Sequence, residues 1–491
     1  MGEIKKQGIS NAIISYIGIA IGFINLLVLQ PILLSPEEIG LTRILFSFSA
    51  LLATIIPMGM VNIILRFFPV FKNENNGNNG FFGLILLFVF VGFILISSLL
   101  FLVKPLLIEK YSQQSKLFSD FFYYVYPLSF FLALINCFGG YLSSIFKTSF
   151  PSFVNDILIR VLNILIFSIY FFDIINLEIL IFLYFFLYLF QSIILVIYIS
   201  KKDKINLKIN FSFYENIGFS KIIGYGLLFA IASISSLGLR YIDSVIMGMY
   251  LPLSDVGIYS VCILIPTIIE TPLIALEKIT NSKIANAWEK NLTTELEVIY
   301  RESVRILSVS GGLILVFILI NVNFLFSFLP ASFSKAIPVV YIISIGSFIN
   351  IFTGVNSGII YYSKKYKIGL IVLFAIFILT TSLNFILIPI HGIIGAAIAT
   401  TVGIIIHNVA KFLIVLKKFK LNPFTIKVFR IFPIIIICLI LDFVIPHLDS
   451  KYLDFILRNL LFVTLLTIVV TYFKLFPEIN KYIPKKLFKN S

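Results

Sequence analysis

Arg43, Arg160 and Arg240 each stand inside a long apolar stretch, where a charge is costly and marks a functional candidate. A guanidinium stays charged in such a setting, and its forked donors fit phosphate oxygens. This residue type therefore suits an anionic, phosphate-bearing ligand. Asn11, Asn25 and Ser236 recur at helical spacing and would extend a polar stripe beside the arginines. Glu270, Asp243 and Asp156 are candidate carriers of a proton or sodium ion, because a carboxyl withdrawn from water binds its proton more readily. Pro266 and Pro272 flank Glu270 and predict a kink there. Arg66 and Lys278 belong to the inner mouth, either meeting the ligand first or anchoring their helices at the interface.

Two of these groups have a structural alternative. Asp156 and Arg160 are four residues apart, and Arg240 and Asp243 are three apart. At such spacings each pair can neutralise itself on one helix face. Arg43 has only Glu37 and Glu38 near it in sequence and could be a lip residue. His407 and Asn408 read as packing residues. No Gly-rich loop followed by Lys-Ser/Thr is present to hold ATP, and no Asp-x-Asp pair or paired His or Cys ligands occur. The sequence predicts no catalytic centre, cofactor or metal. Energy for net movement is expected from an H+ or Na+ gradient.

The elements that must position these side chains are membrane helices. The chain has 491 residues, 59% of them hydrophobic and only 12% charged. That leaves too few charges for a soluble surface. Apolar stretches of about 20 residues, the length of a bilayer crossing, recur throughout. They lie at 8–33, 39–65, 81–106, 121–146, 150–172, 176–200, 221–249, 254–279, 304–329, 335–361, 367–388, 391–416, 428–447 and 453–473. Helices are required, because each satisfies its own backbone in lipid. Cys137, Cys262 and Cys438 fall inside these stretches without metal spacing and read as small core residues. The first stretch has no cleavage site and reads as an uncleaved helix.

A net charge of +15 can signal nucleic-acid binding. Here most of the 38 Lys and Arg residues sit in alternate short loops and at the termini. Lys201, Lys202, Lys204 and Lys208 form one group; Lys417, Lys418 and Lys420 another; Lys481, Lys485, Lys486 and Lys489 a third. The opposite loops hold few, mainly Lys104, Lys110 and Lys116. The bias orients the chain with both termini cytoplasmic. Nucleic acid is not an expected partner.

Two hairpins echo one another. Ser35-Pro36-Glu37-Glu38-Ile39-Gly40 precedes one crossing, and Leu253-Ser254-Asp255-Val256-Gly257 another, the glycines being 217 residues apart. Leu162-Asn163 and Leu383-Asn384 repeat at an offset of 221. The expected architecture is an all-α polytopic membrane protein of about 14 transmembrane helices. Two six-helix lobes form parallel repeats, 1–200 and 221–420, joined by a cytoplasmic linker at 201–220. Residues 421–491 add two helices and a basic tail. A site between parallel repeats implies alternating access.

Leu383-Asn384 and Ile388-Pro389-Ile390-His391-Gly392-Ile393-Ile394-Gly395-Ala396-Ala397-Ile398-Ala399-Thr400 together resemble a late hairpin of polysaccharide exporters. These belong to the multidrug/oligosaccharidyl-lipid/polysaccharide exporter superfamily. Ser35-Pro36-Glu37-Glu38-Ile39-Gly40 looks like their first hairpin, and His391 departs from an aromatic position in the family. Within the superfamily the chain is most similar to Wzx-type flippases. That resemblance implies movement of undecaprenyl-diphosphate-linked oligosaccharide to the outer leaflet, with membrane lipids and a polysaccharide polymerase as partners. The alternatives are a cation-coupled drug or metabolite antiporter, a membrane polymerase or ligase, and a scaffold. The glycines and alanines of the late hairpin read as packing residues that let helices approach.

Overall fold

The computed structural model describes residues 2–73, 77–216, 218–426, 428–445 and 448–472. The C-terminal lysines expected on the cytoplasmic side lie outside them. Among the described residues the fold is all-α. Eleven helices among the described residues are long and apolar enough to cross a membrane. They are α1 (Ile13–Leu33), α2 (Pro36–Ile55), α3 (Asn78–Ser112), α4 (Lys116–Ser144), α5 (Ser149–Phe171), α6 (Leu177–Lys202), α7 (Ile222–Tyr250), α8 (Leu253–Glu289), α9 (Thr293–Phe326), α10 (Ala331–Phe352) and α11 (Tyr366–Phe419). Two further helices follow, α12 (Ile431–Val444) and α13 (Lys451–Tyr472).

α11 carries two crossings. Gly392 inside it has φ +59°, and Pro389 removes a backbone donor just before. In straight helix, Leu387 and Gly395 would stand about 12 Å apart. Instead a Cβ on Gly395 would strike the carbonyl of Leu387. The chain therefore reverses at the motif, and its two arms run side by side. Ala396, Ala397 and Ala399 are wholly buried between neighbours. Counting both arms, and adding α12 and α13, which are not among the eleven, gives a number in line with the expected fourteen or so.

Two expected helices are interrupted. The stretch 39–65 is split into α2 and a short helix, Met60–Phe71, by a turn at Pro57-Met58-Gly59. Proline lacks the donor to continue the ladder, and Gly59 takes φ +82°. The stretch 335–361 breaks at Gly354, φ +70°, leaving a short helix, Asn356–Tyr361.

The hairpin echoes also have a physical basis. Ser35 and Glu38 form a reciprocal capping box: the Ser35 hydroxyl accepts from the Glu38 amide at 3.3 Å, and the Ser35 amide donates to the Glu38 carboxylate at 2.8 Å. Pro36 sits at the first helical position, where its missing donor costs nothing. The two echo glycines then meet. A Cβ on Gly40 would run into the carbonyl of Leu253, and one on Gly257 into that of Pro36. α2 and the start of α8 thus cross backbone to backbone, as small residues permit.

The chain forms two compact units. The first comprises Met1–Leu264 and Leu370–Gly403; the second comprises Ile265–Gly369 and Ile404–Ser491. In the first, α2 is central and packs on α4, α7 and α8. The expected linker lies against this unit: Asp203 accepts from Tyr141 at 2.7 Å and from Asn78 at 2.9 Å, and the Tyr214 hydroxyl donates to the Asn79 carbonyl. In the second, α9 packs on α10 and α12. There Arg458 bridges Asp442 at 2.5 Å and Asp454 at 2.9 Å, and paired amides of Asn321 and Asn459 tie α13 to α9. Cys137, Cys262 and Cys438 are free and buried.

Candidate functional site: an arginine-lined cavity

The first unit encloses a cavity of about 1360 Å³, counting its open mouth. Its wall comes from α1, α2, α4, α5, α6 and α7. Arg43, Arg160 and Arg240 all line it, and among the described residues no Asp or Glu does. Two of the contributing helices loosen locally into wider π-helical turns, at Ile24–Leu29 in α1 and Val154–Leu158 in α5. Such turns are frequent at functional sites. These two carry Asn25 and Asn155 to the wall.

Each arginine is held differently. Arg43 on α2 lies among Tyr184, Tyr188 and Tyr241, with Arg240 as a like-charged neighbour. One guanidinium nitrogen, Nη2, is buried without a hydrogen-bond partner. Arg240 stands beside the ring of Tyr241, 5.9 Å from its centroid. Arg160 reaches from α5 to α1, where Nη1 donates to the carbonyl of Gly18. It passes Gly22, where any side chain would collide with the guanidinium. The buried amide oxygens of Asn25, Gln30 and Asn163 face the same space and also lack partners. The cavity is thus positive and has hydrogen-bonding capacity that its own walls leave unused.

Phe46 sits between Tyr188 and Tyr241, with both ring centroids 5.8 Å away. Tyr184 and Tyr188 share a hydroxyl hydrogen bond of 3.3 Å on α6. These aromatic side chains present flat apolar faces with polar tips to whatever the arginines hold.

Neither sequence-adjacent pair closes into an ion pair. Asp243, three residues from Arg240, is buried and turned away from it. Its carboxylate accepts from Tyr259 at 3.0 Å, from Asn384 at 2.8 Å and from Thr400. Asn384 and Thr400 come from the two arms of α11, so the turn at Gly392 brings both to one carboxylate. Asp156 acts on Arg160 only through space, and its carboxylate accepts from Asn155 at 3.2 Å.

The remaining sequence candidates lie elsewhere. Asn11 donates to Thr148 at 2.6 Å and does not line the cavity. Ser236 is exposed and is not part of the wall. The Arg66 guanidinium sits 4.4 Å from the ring centroid of Tyr225. Lys278 is exposed on α8 of the second unit. Glu270, also in the second unit, lies near Ser347 and Asn350. Gln30, Asn155, Tyr184, Tyr188 and Gln191 line the wall without having been singled out in the sequence. Tyr184, Tyr188 and Gln191 share i, i+4, i+7 spacing, the signal that would have found them.

Known structures place this architecture. An inward-facing multidrug resistance MATE family transporter of the MOP superfamily superposes with a TM-score of 0.65 at 13% identity, covering 84% of this chain and 98% of that one. The lipid II flippase MurJ, in an inward closed conformation, gives 0.64 at 16%, covering 89% and 96%. The fold is that of MATE and MurJ transporters. A MOP superfamily transporter from Pyrococcus furiosus also matches, with 0.55 at 16% over 85% and 96%. Its binding pocket is described as having reverse polarity, suggesting a different function. No protein-family profile matches the chain, and no curated protein does.

Proposed function

We propose that the chain is a MOP-superfamily flippase of the Wzx type, moving undecaprenyl-diphosphate-linked oligosaccharide from the cytoplasmic to the outer leaflet for surface polysaccharide synthesis. The observation that carries this reading is a large cavity with three arginines and no carboxylate. A diphosphate brings several charged oxygens and needs cations that stay charged out of water, which guanidinium supplies. Charge-assisted bonds to phosphate are short and strong. Arg43 has an unpartnered Nη2, and among the described residues Arg240 makes no ion pair, so both are available to a headgroup. Arg160 is partly committed to Gly18 and acts at the margin. The tyrosines beside them would line the path of the sugars.

In this reading the protein sits in the bacterial inner membrane with both termini cytoplasmic, and works by alternating access. Coupling to H+ or Na+ falls to Asp243 or Glu270. Asp156 is a weaker carrier, since it lies beside Arg160. Arg66 and Lys278 serve as interfacial anchors, and a polysaccharide polymerase of the same pathway is the expected partner. The antiporter alternative would place a carboxylate among the cavity walls to meet a cationic drug, and this wall has none.

The test is deletion in the native host followed by extraction of undecaprenyl-linked lipids. The expected result is intact oligosaccharide-diphosphate lipid accumulating on the inner leaflet with surface glycan lost. Unchanged lipid intermediates with increased drug sensitivity would replace this reading with the antiporter.

A further inference from the structure

The arginine cavity also carries groups that a diphosphate cannot use. Three of its wall amides, Asn25, Gln30 and Asn163, are only 4%, 6% and 9% exposed. Their carbonyl oxygens have no hydrogen-bond partner among the described residues. A buried acceptor without a donor weakens a fold, so native structures keep few of them. This one wall keeps three.

The backbone brings them together. In a regular α-helix, positions 25 and 30 would point about 140° apart. The π turn Ile24–Leu29 closes instead through the Gln30 amide, which donates to the Asn25 carbonyl five residues back. The wider turn returns Gln30 to the face of Asn25. Asn163 comes from α5, which packs against this end of α1. The Arg160 guanidinium lies against Gly22, three residues before Asn25, and Arg160 itself is three residues before Asn163. Residues three apart are neighbours on a helix face. Amides therefore border this arginine on both helices.

Three acceptors call for donors. Ionised phosphate oxygens only accept, and a prenyl chain does neither. In a lipid-linked glycan the donors belong to the sugars, as hydroxyl O–H or acetamido N–H. The sugar joined directly to the diphosphate is the one that reaches these amides while the arginines hold the phosphates. We propose that Asn25, Gln30 and Asn163 form a subsite for that first sugar, accepting hydrogen bonds from its hydroxyl or acetamido groups. This assignment rests on the flippase reading of the same cavity. A site whose buried polar groups stay unpaired discriminates against an analogue that lacks the matching donors. The three amides thus make the cavity prefer the glycan-loaded lipid to the bare diphosphate carrier.

The test measures dissociation constants of the full-length protein in lipid nanodiscs for three probes. They are undecaprenyl diphosphate, the same lipid bearing one hexose, and the same lipid bearing one N-acetylhexosamine. Wild type is expected to bind at least one sugar-bearing probe about tenfold or more tightly than the bare lipid, the work of one to three neutral hydrogen bonds. In Asn25→Leu, Gln30→Met and Asn163→Leu this ratio should fall toward one, and the melting temperature without probe should rise, because each variant removes an unmet acceptor. Arg43→Ala should weaken all three probes together. Equal wild-type affinity for the three probes would overturn the subsite and leave the flippase reading standing. Lower melting temperatures with the sugar preference intact would also overturn it, showing the amides to be structural. Failure of wild type to bind any of the probes would remove the flippase reading and the subsite with it. The wild-type comparison decides the matter alone if the variants do not insert.

Discussion

The cavity and the Asp243 nest lie three residues apart on one helix, yet they treat charge in opposite ways. Arg240 faces open space with another arginine beside it and no carboxylate on the wall. Asp243 is enclosed, and three donors from α8 and both arms of α11 converge on it. A charge whose hydrogen-bonding capacity is unused is held ready for a ligand. A charge whose partners are complete organises the protein around it. The difference lies in the rotation of about 300° between positions i and i+3, which turns one side chain to the cavity and the other to the neighbouring helices.

The sharpest way to break this comparison is the double variant Arg43→Ala/Arg240→Ala. Hydrogen bonds to charged groups contribute about 1.5–3 kcal/mol each. Losing two such anchors should lower flipping of a diphosphate lipid in proteoliposomes about 100-fold or more, with thermal stability barely changed. A large fall in melting temperature with normal flipping would show the arginines to be structural. Asp243→Ala should do the reverse and destabilise by about 3 kcal/mol or more, because it strands the Tyr259, Asn384 and Thr400 donors. Asp243→Asn should cost less, since its oxygen still accepts. Thermal unfolding in detergent would read both, and a neutral Asp243→Ala would remove the nest from the argument.

The crossing of α2 and α8 gives a smaller effect. Gly40→Ala forces a methyl against the Leu253 carbonyl and should cost about 1–3 kcal/mol. Gly139→Ala on α4 meets no atom within 4 Å and should stabilise by about 0.5–1 kcal/mol. Equal melting temperatures for the two variants would show that the close crossing contributes nothing.

Much of this architecture was legible in the sequence because lipid imposes one rule: an uninterrupted apolar stretch must be a helix. Arg43, Arg160, Arg240 and Asn25 stood out for the same reason, as polar groups in an apolar setting. What spacing could not decide was partnership. Arg240 and Asp243 have the separation of an ion pair, and only the position of α11 shows that Asp243 is satisfied from elsewhere. The break at Pro57-Met58-Gly59 was hidden by the apolar residues on both sides, although the proline and glycine that cause it were visible.

Surface turns are usually where a chain absorbs insertions with least harm. The reversal at Pro389–Gly395 is an exception. Its two arms must each deliver one side chain, Asn384 and Thr400, to the same carboxylate. One added residue would rotate the returning arm by about 100° and carry Thr400 off that face. The length of this turn is therefore as tightly constrained as any buried side chain, and its natural variation should be in residue type rather than residue number.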